Sequence, residues 1–316
     1  MDIQSLYYFA EVAKDLHITK TANRLYISQQ TLSNHIQRLE EYYQTPLLVR
    51  KPALALTPAG EHVLAFAENL GYEERNLKDI LSDIEGQTRG VIHFGASTFR
   101  MNACIPNIMP QFAAEYPGVE LRLSDNFSAA LEPQVESGEL DFAIVVNKEQ
   151  RNRLIYTPLM DDQILMCVDD SLLEKYYGAE AENMKKAAIK GTNLKTFGRL
   201  PVCLQNNSLG NNIRECFESV GTTPNVYIQS NYNNLSTMLG MRGVCASFTT
   251  QMDLASRINL LPDTLNVFPV LSRGKPIYQH LFLVQNRNRY LAKYAIRFQD
   301  LLIERFQTLA AGDVME

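Results

Sequence analysis

The side chains in this 316-residue chain with the most evident chemistry lie between Thr19 and Arg38. The run Ser28-Gln29-Gln30-Thr31-Leu32-Ser33-Asn34-His35-Ile36-Gln37-Arg38 is dense in hydrogen-bonding groups and holds no acid. Gln and Asn can pair bidentately with adenine, Arg with guanine, and Ser or Thr with several bases or with phosphate. Leu32, Ile36 and Leu39 recur at helical spacing, so Ser28 can cap a helix. Its remaining surface then presents Gln29, Gln30, Thr31, Ser33, Asn34, Gln37 and Arg38, the set a base-reading helix needs. An ordinary solvated helix face mixes Glu with Lys, and this one does not.

The elements that must hold this helix are legible upstream. Leu6, Phe9 and Ala13 repeat as a first helix; Thr19 can cap a short second helix containing Ala22 and Leu25, with Ile27 in the turn that follows. Two short helices around a tight turn, the second polar outside, read as a helix-turn-helix. From Leu16 to Gly60 the only acids are Glu40 and Glu41, against Lys20, Arg24, Arg38, Arg50, Lys51, His17 and His35, with His35 flanking the recognition face. The whole chain has net charge -5, so a local basic face is the footprint of a dedicated nucleic-acid module. Leu47–Pro52 and Leu54–Thr57 read as two short strands around a basic turn. This suggests a wing that sets Arg50 and Lys51 against phosphate or in the minor groove. Without the helices before it, a plain surface hairpin would fit as well.

From Ala59 to about Glu85, Val63, Leu70, Leu77 and Ile84 recur every seven residues. Phe66, Ala67, Ile80 and Leu81 lie between them, and Glu73 and Glu74 interrupt. A seam of this kind predicts a helix of ~40 Å that pairs with another. Glu61, Glu68, Arg75, Lys78, Asp79 and Asp83 make the opposite face polar, which favours pairing over packing on its own domain. A two-fold dimer would present two recognition helices to successive major grooves.

Past Gln87-Thr88-Arg89-Gly90 the pattern alternates between strands (Val91–Gly95, Val119–Leu123, Phe142–Val146, Ile164–Val168, Val202–Leu204, Val226–Ile228, Val244–Phe248, then Leu265–Leu271 and Ile277–Val284) and helices. Met101–Tyr116 reads as mainly helix with a late start set by Pro106 and Pro110, and Tyr290–Leu309 as a closing helix. The alternation predicts an α/β fold with largely parallel sheets. Ligands of open α/β sheets bind beyond the carboxyl ends of strands. Four such points carry hydrogen-bonding residues: Ser97-Thr98, Asn126 with Ser128, Gln205-Asn206-Asn207, and Thr249-Thr250. Singly each is an ordinary helix cap; converging on one cleft they would hold a carboxylate or similar anion.

The pattern Phe9, Val12-Ala13, Ala22, Leu25, Ser28-Gln29, Ser33, Ile36, Leu39-Glu40, Leu47, Arg50, Leu56-Thr57 and Ala59-Gly60 resembles the N-terminal domain of LysR-type transcriptional regulators. Gln30 stands where that family often has Pro, Leu48 where it has Phe, Thr21-Ala22 for its Ala-Ala pair and Gln44 for a frequent Gly. Gln30 adds a possible base contact, so operator preference does not transfer from relatives. Gly90–Val145, with Pro117-Gly118 and Gly138-Glu139-Leu140-Asp141, resembles the family's effector domain, which is similar to periplasmic binding proteins.

The resemblance implies a winged helix-turn-helix over 1–58, a linker and dimerisation helix over 59–88 and an effector domain over 89–316. That domain's subdomain I spans about 89–162 and 268–316, and subdomain II about 163–267. By position, Ser97, Thr98, Ser128 and Thr249 fall where the family lines its pocket; Arg100 is near enough to be a counter-charge or is simply solvated. The implied function is regulation of transcription. The implied partners are double-stranded DNA with an imperfect inverted repeat, a small polar or anionic effector, further copies of the chain (a dimer and then a tetramer), and RNA polymerase where the protein activates.

Other classes fare poorly. GxSxG, P-loop, HExxH and GxGxxG motifs are missing, and the five histidines keep no metal spacing, so no enzyme, cofactor or metal is expected. The apolar run Phe142–Val146 is only five residues, and the start Met1-Asp2-Ile3-Gln4 has no signal pattern, so the expectation is a cytoplasmic protein with no membrane contact. Five cysteines without CxxC argue against disulfides. Cys203 and Cys216 lie where peroxide-sensing members of the family keep a cysteine pair, which makes a thiol-switch regulator the alternative. Cys203 sits in an apolar strand pattern without basic neighbours, so a buried, inert thiol is the preferred reading.

Overall fold

Side-chain caps start the first helices of this computed structural model, which describes residues 2–49, 53–86, 89–149 and 151–311. Asp2 accepts from the Ser5 N–H at 2.6 Å and opens α1 (Ile3–Asp15). His17 Nδ1 accepts from the Lys20 N–H at 3.2 Å and opens α2 (Ile18–Arg24). The expected cap, Thr19, is therefore inside α2, because a ring nitrogen two residues earlier takes the free N–H. Ser28 accepts from the Thr31 N–H at 3.0 Å and opens α3 (Gln29–Tyr43). Leu6, Phe9, Val12, Ala22, Leu32, Ile36 and Leu39 form one buried cluster beneath these helices.

β1 (Leu48–Val49) and β2 (Ala55–Leu56) pair antiparallel, Leu48 opposite Leu56. Glu40, one of the two acids in an otherwise basic stretch, uses Oε1 to accept from the Leu47 and Leu48 N–H groups at 2.9 and 3.2 Å, tying β1 to α3. Arg50 and Lys51, the expected wing cations, lie outside the described residues. Thr57 caps α4 (Pro58–Ile84), with Pro at its first position where no N–H is needed. The seven-residue seam divides in two along α4. Val63, Ala67 and Leu70 pack into the N-terminal core, whereas Leu77, Leu81 and Ile84 are exposed, Ile84 at 75%.

The chain divides into two compact units, residues 1–87 with 137–139 and 290–292, and the remainder. In the second unit, β3 (Arg89–Ala96) leads into α5 (Thr98–Glu115), β4 (Gly118–Asp125), α6 (Ser128–Glu136), β5 (Phe142–Val146) and the long β6 (Leu154–Asp169). There follow α7 (Asp170–Tyr177), α8 (Ala181–Ala188), β7 (Pro201–Gln205), α9 (Ser208–Ser219), β8 (Asn225–Ser230), α10 (Asn233–Met241), β9 (Ala246–Thr250) and α11 (Gln251–Ala255). The chain closes through β10 (Leu265–Pro269), β11 (Leu271–Ser272), β12 (Lys275–Pro276), β13 (Tyr278–Asn286) and α12 (Lys293–Ala311). Strand order is β4-β3-β5-β13-β6-β9-β7-β8, with β10 beside β6. The pairs β3/β4, β3/β5, β7/β8 and β7/β9 are parallel, and those made by β13 and by β6 are antiparallel.

β6 is the shared strand of two lobes. Up to Gln163 it pairs with β13, and from Ile164 it pairs with β9 and β10. The return to the first lobe comes near 277 rather than 268, because Phe268 and Val270 belong to the second lobe's core and β10 keeps its register with Leu165–Asp169. α5 starts at Thr98, not late. Pro106 and Pro110 each remove one helical hydrogen bond, but the helix buries Met101, Cys104, Ile105, Ile108 and Phe112 along one face.

Candidate nucleic-acid interface and effector cleft

α3 turns Leu32, Ile36 and Leu39 inward, which leaves its polar side chains on the surface. Gln29 is tied back, its Oε1 accepting from Thr19 Oγ1 at 3.0 Å. Thr31 Oγ1 sits 2.7 Å from Ser28 Oγ, and Gln37 donates to Glu41 at 2.9 Å. Ser33 is half-buried. Gln30, Asn34 and Arg38 are exposed and have no partner among the described residues. Their i, i+4, i+8 spacing makes them one stripe along the helix. His35 does not flank that stripe: its Nδ1 lies 2.8 Å from Ser5 Oγ and its ring packs edge-on against Tyr8.

The basic count of the module changes in three dimensions. Lys20 pairs with Asp15 at 2.9 Å, and Arg24 reaches both Asp15 (2.7 Å) and Glu11. The hydrogen bonds from Lys20 and Arg24 hold the Asp15 carboxyl well below the usual carboxylate range. These two cations bind α2 to α1 and are already neutralised, whereas Arg38 has no ion partner among the described residues.

In the second unit, Ser97, Arg100, Asn126, Ser128 and Asn206 line one cavity of about 330 Å³ with Asn207, Ser208, Asn211 and Gln279. The volume is at the small end of ligand pockets, ~300–1,000 Å³. α5, α6 and α9 all begin in this lining, so three helix N-termini add positive potential. Arg100 is not solvated. It is 8% exposed, its Nη1 donates to Ser97 Oγ and its Nη2 to Gln279 Oε1, both at 3.0 Å, and its Nε has no partner. Burial lowers its guanidinium to about 10, with the Asp162 carboxylate pulling the other way, so it stays a cation at neutral pH.

Three expected cleft residues face elsewhere. Thr98 Oγ1 donates to Asp125, which also accepts from the Thr98 N–H. Gln205 is buried and donates to the Phe248 carbonyl at 2.8 Å. Thr249 donates to Asp253 at 2.5 Å in a buried group with Thr237 and Arg257, beside a minor cavity that Arg100 and Gln279 also line. In each case another protein group takes the side chain: Asp125 and the Phe248 carbonyl lie 27 and 43 residues away, whereas Asp253 is one helical turn on from Thr249. Gln279 was missed. Its signal is the phase of β13, where it alternates with the buried Leu281 and Leu283, so a polar residue stands at a core position.

Cys203 and Cys216 are not brought together as a pair. Cys203 lies opposite Ser247 in the β7/β9 ladder, and its thiol hydrogen-bonds Cys245, two residues back on the same face. That contact lowers the Cys203 thiol and raises that of Cys245. Cys216 is raised by burial and hydrogen-bonds Ser272, and all five cysteines are buried. Among the described residues no group of His, Cys, Asp and Glu could hold a metal ion, and no helix is long and apolar enough to cross a membrane.

The Salmonella typhimurium activator IlvY, described as an HTH-type transcriptional activator, is 33% identical over 150 residues, 47% of this chain and 51% of that protein. The aligned regions span 60, 52 and 51% of the first three curated relatives, so the chain matches about half their length. A full-length OxyR variant from Pseudomonas aeruginosa shares the fold at a TM-score of 0.69 and 18% identity, over 97% of this chain and 95% of that one. CbnR, solved in complex with its target DNA, does so at 0.60 and 16%, over 98 and 100%. Residues 3–61 match the bacterial regulatory helix-turn-helix protein model of the lysR family and residues 85–307 the LysR substrate binding domain, so the chain belongs to the LysR family of transcriptional regulators.

Proposed function

We propose that this protein binds double-stranded DNA at an imperfect inverted repeat and changes that binding when a small anion occupies the cleft. The observation that carries the DNA reading is the exposed, unpartnered stripe Gln30, Asn34 and Arg38 on a capped helix. Gln30 and Asn34 suit adenine and Arg38 suits guanine. The exposed Leu77, Leu81 and Ile84 continue the apolar seam of α4 beyond its own core, which supports pairing with a second copy and two recognition helices per complex. IlvY's description as an activator favours activation, and with it contact with RNA polymerase. The buried Arg100 supports an anionic effector.

Selection of bound duplexes from a random pool tests this reading. The expected result is a two-fold motif with half-sites one helical turn or a multiple apart. A pool that stays random, with the cleft empty and with anion added, would refute it.

A further inference from the structure

The cleft is unusual in what its hydrogen-bonding groups have left to offer. The carbonyl oxygen of Asn126 accepts from the Phe127 N–H at 3.0 Å. Those of Asn206 and Asn211 accept from Arg214 at 3.3 and 3.1 Å, and that of Gln279 from Arg100 at 3.0 Å. Main-chain N–H and guanidinium groups can only donate, so each amide has its oxygen fixed on that donor. The NH₂ groups of Asn126, Asn206 and Asn211 then have no partner among the described residues. The serines repeat the pattern. Ser97 Oγ accepts from Arg100, Ser128 Oγ from the Val146 N–H at 2.8 Å, and Ser208 Oγ from Gln279 Nε2 at 3.2 Å, which leaves each hydroxyl its proton. Arg100 Nε is a further unpartnered donor on a side chain more than nine-tenths buried. No Asp or Glu lines the cavity.

Resting on the effector reading above, we propose that this cleft selects a small oxoanion whose polar atoms are all acceptors, a 2-oxo carboxylate or an inorganic oxoanion, and disfavours analogues that carry an amino or hydroxyl donor. An ammonium can only donate, so it would meet donors alone, losing a hydrogen bond on each side, and no carboxylate in the cavity lining would balance its charge beside Arg100; a hydroxyl can still accept, and is disfavoured less, by the proton it must place among donors.

The test is calorimetric titration of the full chain with 2-oxobutyrate, 2-hydroxybutyrate and 2-aminobutyrate, which differ only at the second carbon, and with sulfate against sodium chloride of equal ionic strength. The expected order is 2-oxobutyrate tighter than 2-hydroxybutyrate and at least roughly tenfold tighter than 2-aminobutyrate, with sulfate competing. Arg100→Gln should abolish binding. Because Arg100 is buried, the exposed Asn206→Asp is the second variant; turning a donor into a charged acceptor, it should weaken 2-oxobutyrate and narrow the gap to 2-aminobutyrate. Binding of sulfate without 2-oxobutyrate would assign the site to inorganic oxoanions, within the proposal. Equal or tighter binding of the amino or hydroxy acid would overturn it, as would no oxoanion exceeding the chloride control. An anion that binds through Arg100 yet leaves binding to the selected duplex unchanged would refute the effector role and leave the anion site standing.

Discussion

Replacing Arg24 with Gln separates two roles that a count of basic residues merges. Arg24 donates to both Glu11 and Asp15 and to the Glu11 main-chain carbonyl, and Glu11 is only 7% exposed. Without the guanidinium, Glu11 keeps Lys14 at 2.9 Å as its remaining ion partner. Hydrogen bonds to charged groups contribute ~1.5–3 kcal/mol, and the 42% exposure of the Arg24 side chain discounts this through solvent screening. The expected net loss is about 1–3 kcal/mol, read as a lower Tm by circular dichroism. DNA binding should respond differently. A free cation on a phosphate contributes ~0.9 to the slope of log K against log salt, whereas one already neutralised releases few counterions. Arg24→Gln should thus lower Tm and leave the salt slope of fluorescence anisotropy unchanged. Arg38→Gln should leave Tm unchanged and cost about 1–3 kcal/mol at the preferred site. A flatter slope with an unchanged Tm for Arg24→Gln would refute the argument, since the cluster would then be holding phosphate rather than α1 against α2.

Further perturbations test other levels of the structure. A Cβ on Gly60 would lie 2.1 Å from the Leu47 carbonyl oxygen, so Gly60→Ala should push β1 off α4, destabilise the N-terminal unit by about 1–3 kcal/mol or more, and show as faster amide exchange in residues 47–49 and 55–60. Leu77→Asp with Leu81→Asp should lower the dimer fraction in sedimentation velocity at unchanged helix content, since each buried leucine contributes about 1.5–3 kcal/mol. Burial pushes the Asp162 carboxyl up to about 6, with Thr250, Met252 and Arg100 lowering it and Asp253 raising it. Its folded pKa exceeds its unfolded one, so the charged form costs stability as pH rises from about 4 through 6. Protonation also removes a negative charge near Arg100. Sulfate should therefore bind more tightly at pH 5 than at pH 7, and Asp162→Asn should remove the difference.

The N-terminal module was largely legible because its information is local. Leu32, Ile36 and Leu39 give the buried face of α3, and Ser28 its cap, within twelve residues. What sequence could not supply was pairing. Asp15 and Glu11 lie outside the acid-poor stretch yet take up Lys20 and Arg24 from it. The cleft was legible in part for the same reason. Ser97, Asn126, Ser128 and Asn206 follow strands, and the topology gathers such ends. Thr98 follows a strand too, and Gln205 and Thr249 lie within the last two residues of β7 and β9, but Asp125, the Phe248 carbonyl and Asp253 claim them. The local pattern of a cap is the same whether the side chain faces a ligand or a carboxylate 27 residues away. Gln279 could have been found from strand phase, because a fully polar side chain at a core position demands hydrogen-bonding partners.

Those partners show how a bound anion could bear on the arrangement of the lobes. Arg100 and Gln279 belong to the first lobe and Ser208 begins α9 of the second, so the chain of hydrogen bonds Arg100–Gln279–Ser208 already crosses between them. The remaining donors are divided likewise, Ser97, Asn126 and Ser128 on one side and Asn206 and Asn211 on the other. An anion held from both sides gains most where the lobes stand closest, because each charge-assisted hydrogen bond weakens steeply as it lengthens. Only that difference in affinity between lobe arrangements can shift their populations; tight binding to both alike would shift nothing. Under the proposed function, a site with a single buried cation and donors on both walls would meet that condition, since closure would bring the second wall's donors onto the anion while Arg100 kept its place on the first.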